Sequence, residues 1–148
     1  MSIAASAQAQ SQTSTVTDAN KAVAARVFND IYNRHDFAAA KEIYAPGFVN
    51  HGEARDIGID EDQAATHGWV AAFPDLHVTI DKEIAEGDLV SVLWTGEGTN
   101  TGNGNGFNAT GAHLSMRGIT IWRVVDGKLA EEWSEFNEKA AAERAVKK

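Results

Sequence analysis

The stretch Leu76–Thr99, LHVTIDKEIAEGDLVSVLWTGEGT, decides the fold. Leu76, Val78 and Ile80 alternate with His77, Thr79 and Asp81, the two-residue period of a strand with one buried face. Glu86-Gly87-Asp88 is a turn, and a second strand from Leu89 to about Thr101 closes a hairpin. Downstream, a third strand is predicted from about His113 to Val125 and a fourth from Lys128 to Phe136, joined by the type I′ signal Asp126-Gly127. The Gly/Asn-rich run Asn103 to Asn108 between the second and third strands reads as a flexible loop. No strand-to-helix transition and no Lys-Ser/Thr pair follows it, so it is not a phosphate cradle.

Upstream of Leu76 the period is helical. Thr17 or Asp18 can cap a helix over about 18–33, with Val23, Val27, Phe28, Ile31 and Tyr32 at helical spacing. Asp36 caps a short helix from Phe37 to Tyr44 that ends before Pro46, and a third helix runs from Gly58 to Phe73, stopped by Pro74. Helices first and an antiparallel meander after them make an α+β domain, with the N-terminal helices packed on one face of a curved antiparallel sheet. Residues 1–17, which carry no charged side chain, read as a disordered leader; 18–137 form the domain; 138–148 are a charged, Ala-rich tail.

The chain has 148 residues, enough for one core, with 43% hydrophobic and 23% charged residues. Its formal net charge is -8, and without a basic run nucleic acid is not an expected partner. No apolar run approaches the ~20 residues of a membrane span, so no membrane is expected either. Cysteine is absent, which excludes disulfides, thiol nucleophiles and thiolate metal sites. The five histidines are scattered and form no ligand spacing, so no metal is expected. The leader lacks the basic start and apolar stretch of a secretory signal, which points to the cytoplasm. Ala5-Ser6-Ala7 before Gln8 has the look of a cleavage site, however, and residues 1–7 as the stub of a trimmed signal would place the protein in the periplasm or outside.

Several motifs follow one another in order: Phe48-Val49-Asn50-His51, Ala72-Phe73-Pro74-Asp75-Leu76-His77, Ala85-Glu86-Gly87-Asp88, Trp94-Thr95-Gly96-Glu97-Gly98-Thr99, Gly118-Ile119-Thr120-Ile121-Trp122-Arg123, and Asp126-Gly127-Lys128-Leu129-Ala130-Glu131-Glu132-Trp133. Over roughly residues 18–137 the chain resembles the SnoaL-like polyketide cyclase, or ester cyclase, family. That resemblance implies the cone-shaped nuclear transport factor 2-like (cystatin-like) roll, one apolar pocket and a homodimer. It also implies ring closure by aldol chemistry on a small apolar or aromatic carbonyl compound, with no metal or cofactor. The Gly/Asn loop would then cover the pocket mouth.

The family's acid/base aspartate lies on a strand that reads Gly-Ile-Asp-Ile-Phe-Arg, and Thr120 stands at the matching place. The family's Glu-His-Trp-Asp segment is matched by Glu131-Glu132-Trp133-Ser134. Matching Thr120 to the pocket aspartate turns Met116, Gly118, Thr120 and Trp122 inward, and with them Glu132, Ser134 and Phe136 of the last strand. Glu132 is then the expected base and His51 the expected acid, because histidine titrates near neutrality. Asn50 is expected to bond a substrate carbonyl, with Thr120 assisting. His67, Trp69, Phe73, Trp94, Trp122 and Phe136 are expected to contact the ligand. Against Glu132 as base stands a plain salt bridge from it to Arg117 or Arg123. Against an enzyme of this type stand a non-catalytic small-molecule-binding or interaction domain of the same fold and, on a weaker footing, an epoxide hydrolase built on an Asp-Arg-Asp arrangement.

Overall fold

The computed structural model describes the backbone of residues 2–137 and the side chains of residues 10–137; the expected tail lies outside them. The first helix, α1, spans Ser2–Arg26 and continues through a π-helical turn, Val27–Tyr32. It therefore starts well before the expected cap. Thr17 lies inside the helix, and its hydroxyl bonds back to the carbonyls of Thr13 and Ser14 instead of capping a new start. The Ala- and Gln-rich leader suits this, since both residues are good helix formers. Ala24, Val27, Phe28 and Ile31 form the buried stripe. Asn33 ends the segment by a reciprocal pair: its amide nitrogen donates to the Val78 carbonyl (2.9 Å) and its oxygen accepts from the Val78 N–H (2.7 Å).

After a 3₁₀ turn at Phe37–Ala39 comes the single-turn helix α2, Ala40–Ile43, and then the chain departs from expectation. Tyr44–His51 is a strand, β1, and Asp56–Gly58 a short strand, β2, antiparallel to it. The helix α3, Ile59–Ala72, and the strands β3 (His77–Glu86), β4 (Leu89–Thr99), β5 (His113–Val125) and β6 (Lys128–Phe136) follow the sequence reading closely. Asp126 and Gly127 both have positive φ (51° and 74°), as a type I′ turn requires. The sheet order is β2-β1-β6-β5-β4-β3, so the four-stranded meander gains two strands at the β6 edge, with β1 parallel to β6. A parallel partner needs no tight turn to announce it, and Pro46-Gly47 breaks the alternation and the register between Tyr44 and Val49.

On β5, Leu114, Met116, Thr120, Trp122 and Val124 are buried on the concave face with Val78, Val90, Val92 and Leu129. Helical segments close that face: Phe28 packs on Trp122 with ring centroids 5.6 Å apart, and α3 brings Trp69 and Phe73. No helix among the described residues is long and apolar enough to cross a membrane.

The Gly/Asn-rich connection between β4 and β5 is held against α3 rather than free, which corrects the expectation of a flexible loop. Fully buried Asn100 donates to the carbonyls of Ala72 (3.0 Å) and Gly102 (2.9 Å) and accepts from the Thr110 N–H. Asn105 donates to the Ala65 carbonyl (2.8 Å). The glycines are there for space, because a Cβ at Gly102 would run into the Ala71 carbonyl oxygen and one at Gly104 into that of Gly68. Gly102→Ala is therefore expected to cost about 1–3 kcal/mol. At Gly47 a Cβ meets nothing within 4 Å, and Gly47→Ala is expected to stay within about 0.5 kcal/mol of the parent in urea denaturation.

Candidate active site

A cavity of ≈ 590 Å³ lies between the concave face of the sheet and the helical segments. That is the size of a small-molecule site, roughly 300–1,000 Å³. Its walls are aromatic: Trp94 packs on Phe28 (6.0 Å between centroids) and on Phe136 (5.9 Å), and Trp69 on Phe136 (6.1 Å). Its floor is polar, and the sheet register puts the floor together. Glu132 on β6 stands directly opposite Trp122 on β5 and directly opposite Asn50 on β1, while Ser134 stands opposite Thr120.

Every contact that Glu132 makes there is from a donor. Its Oε2 accepts from Trp122 Nε1 (2.8 Å); its Oε1 accepts from Ser134 Oγ (2.9 Å) and from Asn50 Nδ2 (3.3 Å). Ser134 has one hydroxyl proton and gives it to Glu132, so in its 2.8 Å contact with Thr120 the threonine is the donor. Trp94 Nε1 in turn donates to Thr120 Oγ1 (3.0 Å). The polarity runs one way, from Trp94 through Thr120 and Ser134 to Glu132, and it favours a carboxylate at the end. Asn50 Nδ2 also donates to Asp62 Oδ1 (2.8 Å), joining a second buried carboxyl group to the first.

No lysine, arginine or histidine lines the cavity among the described residues. Burial pushes the Glu132 carboxyl up, the negative charge of Asp62 pushes it further, and the Trp122 and Ser134 hydrogen bonds pull it partly back, leaving it at about 7. Asp62 is likewise raised by burial, against the pull of hydrogen bonds from Asn50 and Gln63. Arg117 and Arg123 do not reach Glu132. Arg117 faces Asp81 (3.7 Å), and Arg123 pairs with Asp88 (2.8 Å) and Glu131 (2.6 Å) on the outer face.

Of the residues expected at the site, Glu132, Asn50, Trp69, Trp94, Thr120, Trp122 and Phe136 line the cavity and His51, His67 and Phe73 do not. His51 follows Asn50 on β1, and with Asn50 turned inward alternation turns His51 outward. There it stacks on Trp133 (4.8 Å, 16°) and bonds Glu131 (3.0 Å) and Asp56 (3.1 Å), which raise its pKa. His67 is exposed and stacks on Phe37 at 3.8 Å, because the inward positions of α3 are Asp62, Thr66 and Trp69. Phe73 is buried behind the wall, against Trp69 (5.9 Å) and Phe107 (5.5 Å). The role foreseen for Asn50 also changes, since both N–H groups of its amide are spent on carboxylates.

Sequence reading missed Asp62 as a cavity residue; Tyr32 and Tyr44, two of the aromatic side chains able to line a pocket or fill the core, also line the cavity. A signal for Asp62 existed: it precedes Trp69 by seven residues and Thr66 by four, which places all three on one helical face. Among the described residues, no group of three or more His, Cys, Asp or Glu side chains is placed to hold a metal ion.

The family model for SnoaL-like polyketide cyclases matches residues 22–145. No curated protein matches the chain. Among solved structures, AclR, a candidate hydroxylase from Streptomyces galilaeus, superposes with a TM-score of 0.80 at 26% identity, covering 89% of this chain and 83% of that one. A candidate SnoaL-like polyketide cyclase from Jannaschia sp. CCS1 gives 0.82 at 20% identity, over 89% and 94% of the two chains. IdmH, a candidate polyketide cyclase from Streptomyces antibioticus, gives 0.73 at 23% identity, over 86% and 97%. At those last two identities the likeness is one of fold.

The raised Glu132 carboxyl links stability to pH. Between the ordinary carboxylate range and about 7 the folded chain holds a proton that the unfolded chain has lost, so this group's contribution falls as pH rises through that window. Glu132→Gln removes the ionisation and keeps an acceptor for Trp122. Relative to the parent, the variant is expected to be more stable at pH 8 than at pH 5, by up to about 3 kcal/mol, in urea denaturation at the two pH values. An equal effect at both would show that ionising Glu132 costs the fold nothing.

Proposed function

The chain belongs to the SnoaL-like polyketide cyclase family, and on that premise we propose that it is a cyclase-type enzyme in which Glu132 takes a proton from a carbon next to a carbonyl group. The observation that carries this reading is a buried carboxylate without a cation, at the end of a one-way chain of donors, on the floor of an aromatic cavity. Each part has a chemical use. A base that titrates near neutrality suits proton transfer from carbon. Fixed donors keep its basic oxygens aimed without reorganisation, and a dry, aromatic surround strengthens every electrostatic contact.

The substrate that fits is uncharged and partly planar. Trp69, Trp94 and Phe136 offer ring faces, and an anion would meet Glu132 and Asp62 with no cation among the described lining residues to offset them. Once the proton is taken, the enolate carbon can attack a second carbonyl of the same molecule folded against the walls, which closes a ring without oxidation or reduction. In this chemistry Thr120 holds the relay, Ser134 and Trp122 aim the base, and Asn50 sets its position. Among the described residues no arginine lines the cavity, which disfavours the Asp-Arg-Asp pattern of epoxide opening.

Deuterium uptake from heavy water at the acidic carbon of cyclic β-keto esters and cyclic ketones tests the reading without knowledge of the product. Uptake above the buffer rate is expected, reduced at least about 10²-fold in Glu132→Gln. Uptake that persists in the variant would move the base elsewhere. Ligand binding that survives the substitution while no uptake occurs would favour a binding domain.

We also propose a homodimer through the outer face of the sheet. Ile84, Leu89, Ile119 and Ile121 are exposed there, alongside the partly buried Trp133. A second copy of the same face would cover this apolar surface. Light scattering is expected to give a dimer for the parent and a monomer for Ile119→Glu/Ile121→Lys; a monomeric parent refutes it.

A further inference from the structure

With His51 outside the cavity, the acid partner of Glu132 has to be found among the groups that face it. Most of the protons there are already committed. Asn50 gives both amide hydrogens to carboxylates, Trp122 gives its N–H to Glu132 and Trp94 gives its N–H to Thr120. Thr120 and Ser134 pass theirs toward Glu132. Tyr32 bonds Thr66, whose own hydroxyl is spent on the Asp62 carbonyl (3.1 Å), so the Tyr32 hydrogen is directed at Thr66. Tyr44 is buried beside Gln63, and burial holds its hydroxyl proton well above the ordinary tyrosine range. Glu53 and Glu135, which also line the cavity, are exposed to solvent. The carboxyl group buried there beside Glu132 is that of Asp62.

Resting on the reading of Glu132 as base, we propose that Asp62 is the acid of the reaction, and that Asp62 and Glu132, bridged by the Asn50 amide, share one proton and exchange it through the substrate. The geometry carries this. One nitrogen lies 2.8 Å from Asp62 Oδ1 and 3.3 Å from Glu132 Oε1, both carboxyl groups are buried, both line the cavity, and among the described residues no cation lines it. The two come from different elements, α3 and β6, so a substrate between them is approached from two sides. The buried titratable groups that face Glu132 are Asp62 from α3, Tyr32 from the π-helical turn and Tyr44 from β1, while Glu53 and Glu135 line the cavity from exposed positions; like charge from Asp62 and burial both hold the Glu132 proton, and burial also holds that of Asp62.

The step balances. Glu132 carboxylate takes the proton as the C–H bond breaks, and the electron pair moves through carbon to the carbonyl oxygen. Asp62 gives its proton to that oxygen and becomes the carboxylate. An enol is formed, one proton has left carbon and one has arrived on oxygen, and the pair carries a single negative charge before and after. Buried charge is neither created nor lost, so the step avoids desolvating a free enolate. Return of the two protons restores the pair. In ring closure the enol carbon attacks the second carbonyl, the Asp62 carboxylate takes back the enol O–H proton as the first carbonyl re-forms, and Glu132 gives its proton to the oxygen of the second carbonyl, so the pair ends as it began with one proton on Asp62.

A shared proton gives a bell-shaped rate profile, since activity needs one carboxyl ionised and the other protonated. The test measures deuterium uptake by a cyclic β-keto ester against pH for the parent, Asp62→Asn, Asp62→Glu and Tyr32→Phe, with melting curves to confirm folding. Carbon-13 NMR then follows the carboxyl of Glu132 in the parent and in Asp62→Asn. Asp62→Asn is expected to lower kcat about 10²-fold with a small change in KM. Its profile is expected to lose the high-pH fall, because only Glu132 must then be ionised. Asp62→Glu is expected to recover part of the rate, Tyr32→Phe to keep the bell, and the Glu132 carboxyl to titrate at lower pH once Asp62 is gone. A bell and a rate unchanged in Asp62→Asn, or a Glu132 titration that does not move, would overturn the proposal; transfer of the effect to Tyr32→Phe would do so as well. Coupled titration in a parent that exchanges no proton with any of the compounds would instead overturn the reading of Glu132 as a base, and would take the acid role from Asp62 with it.

Discussion

A carboxylate buried without a cation has to be held by neutral donors, and the arrangement around Glu132 follows from that constraint. Three donors reach it, from Trp122, Ser134 and Asn50. Two of them stand directly across from it on the neighbouring strands, one on each side. β6 therefore has to be an interior strand. Had the sheet stopped at the four-stranded meander, β6 would be an edge, Asn50 would be absent and Glu132 would lack its link to Asp62. The parallel pairing of β1 with β6, the least regular part of the sheet, is what completes the site.

Much of this was legible in the sequence. Strict alternation on β5 and β6 put Thr120, Trp122, Glu132, Ser134 and Phe136 on one face, and the register confirms that these side chains meet. The failures are local and have causes. β1 was hidden because a parallel strand pairs with residues far away in sequence, and because Pro46-Gly47 interrupts its period. With the strand unrecognised, nothing fixed the parity of Asn50 and His51, and a one-residue error in parity moves a side chain through the sheet. His51, expected as the acid, therefore could not be told from an outer-face residue, which is where it lies. On α3 the histidine at 67 drew attention away from Asp62, although helical spacing from Trp69 favours Asp62. The loop before β5 looked flexible because glycines permit motion, yet here they permit contact with α3.

The same alternation sorts the charges. On the outer face His51, Arg117 and Arg123 each have acidic partners. On the inner face Glu132 and Asp62 have hydrogen-bond donors only. The family resemblance places an aspartate where this chain has Thr120. A hydroxyl at that position cannot serve as a base near neutral pH, but it can pass a hydrogen bond to Ser134 and so to Glu132. On the proposed reading the base stands on β6, beside the β5 position of Thr120, and Thr120 is part of its support.

Electrostatics then limits how the cavity can work. The proposed proton abstraction would build negative charge on the carbonyl oxygen of the substrate, in a space that no cation lines among the described residues. If both carboxyl groups were ionised at the start, the growing enolate would face a second, uncompensated carboxylate at close range, where low dielectric makes like charges costly. If both were protonated, no base would exist. The reactive state is therefore the one with a single proton, and the bridging amide of Asn50 is suited to it because it can bond whichever carboxyl group carries the charge. On the proposed mechanism, burial, the lack of a cation among the described residues that line the cavity, and the shared amide are thus parts of one device, in which the fold gives up some stability to hold two acids together and gains a site whose total charge need not change during the reaction.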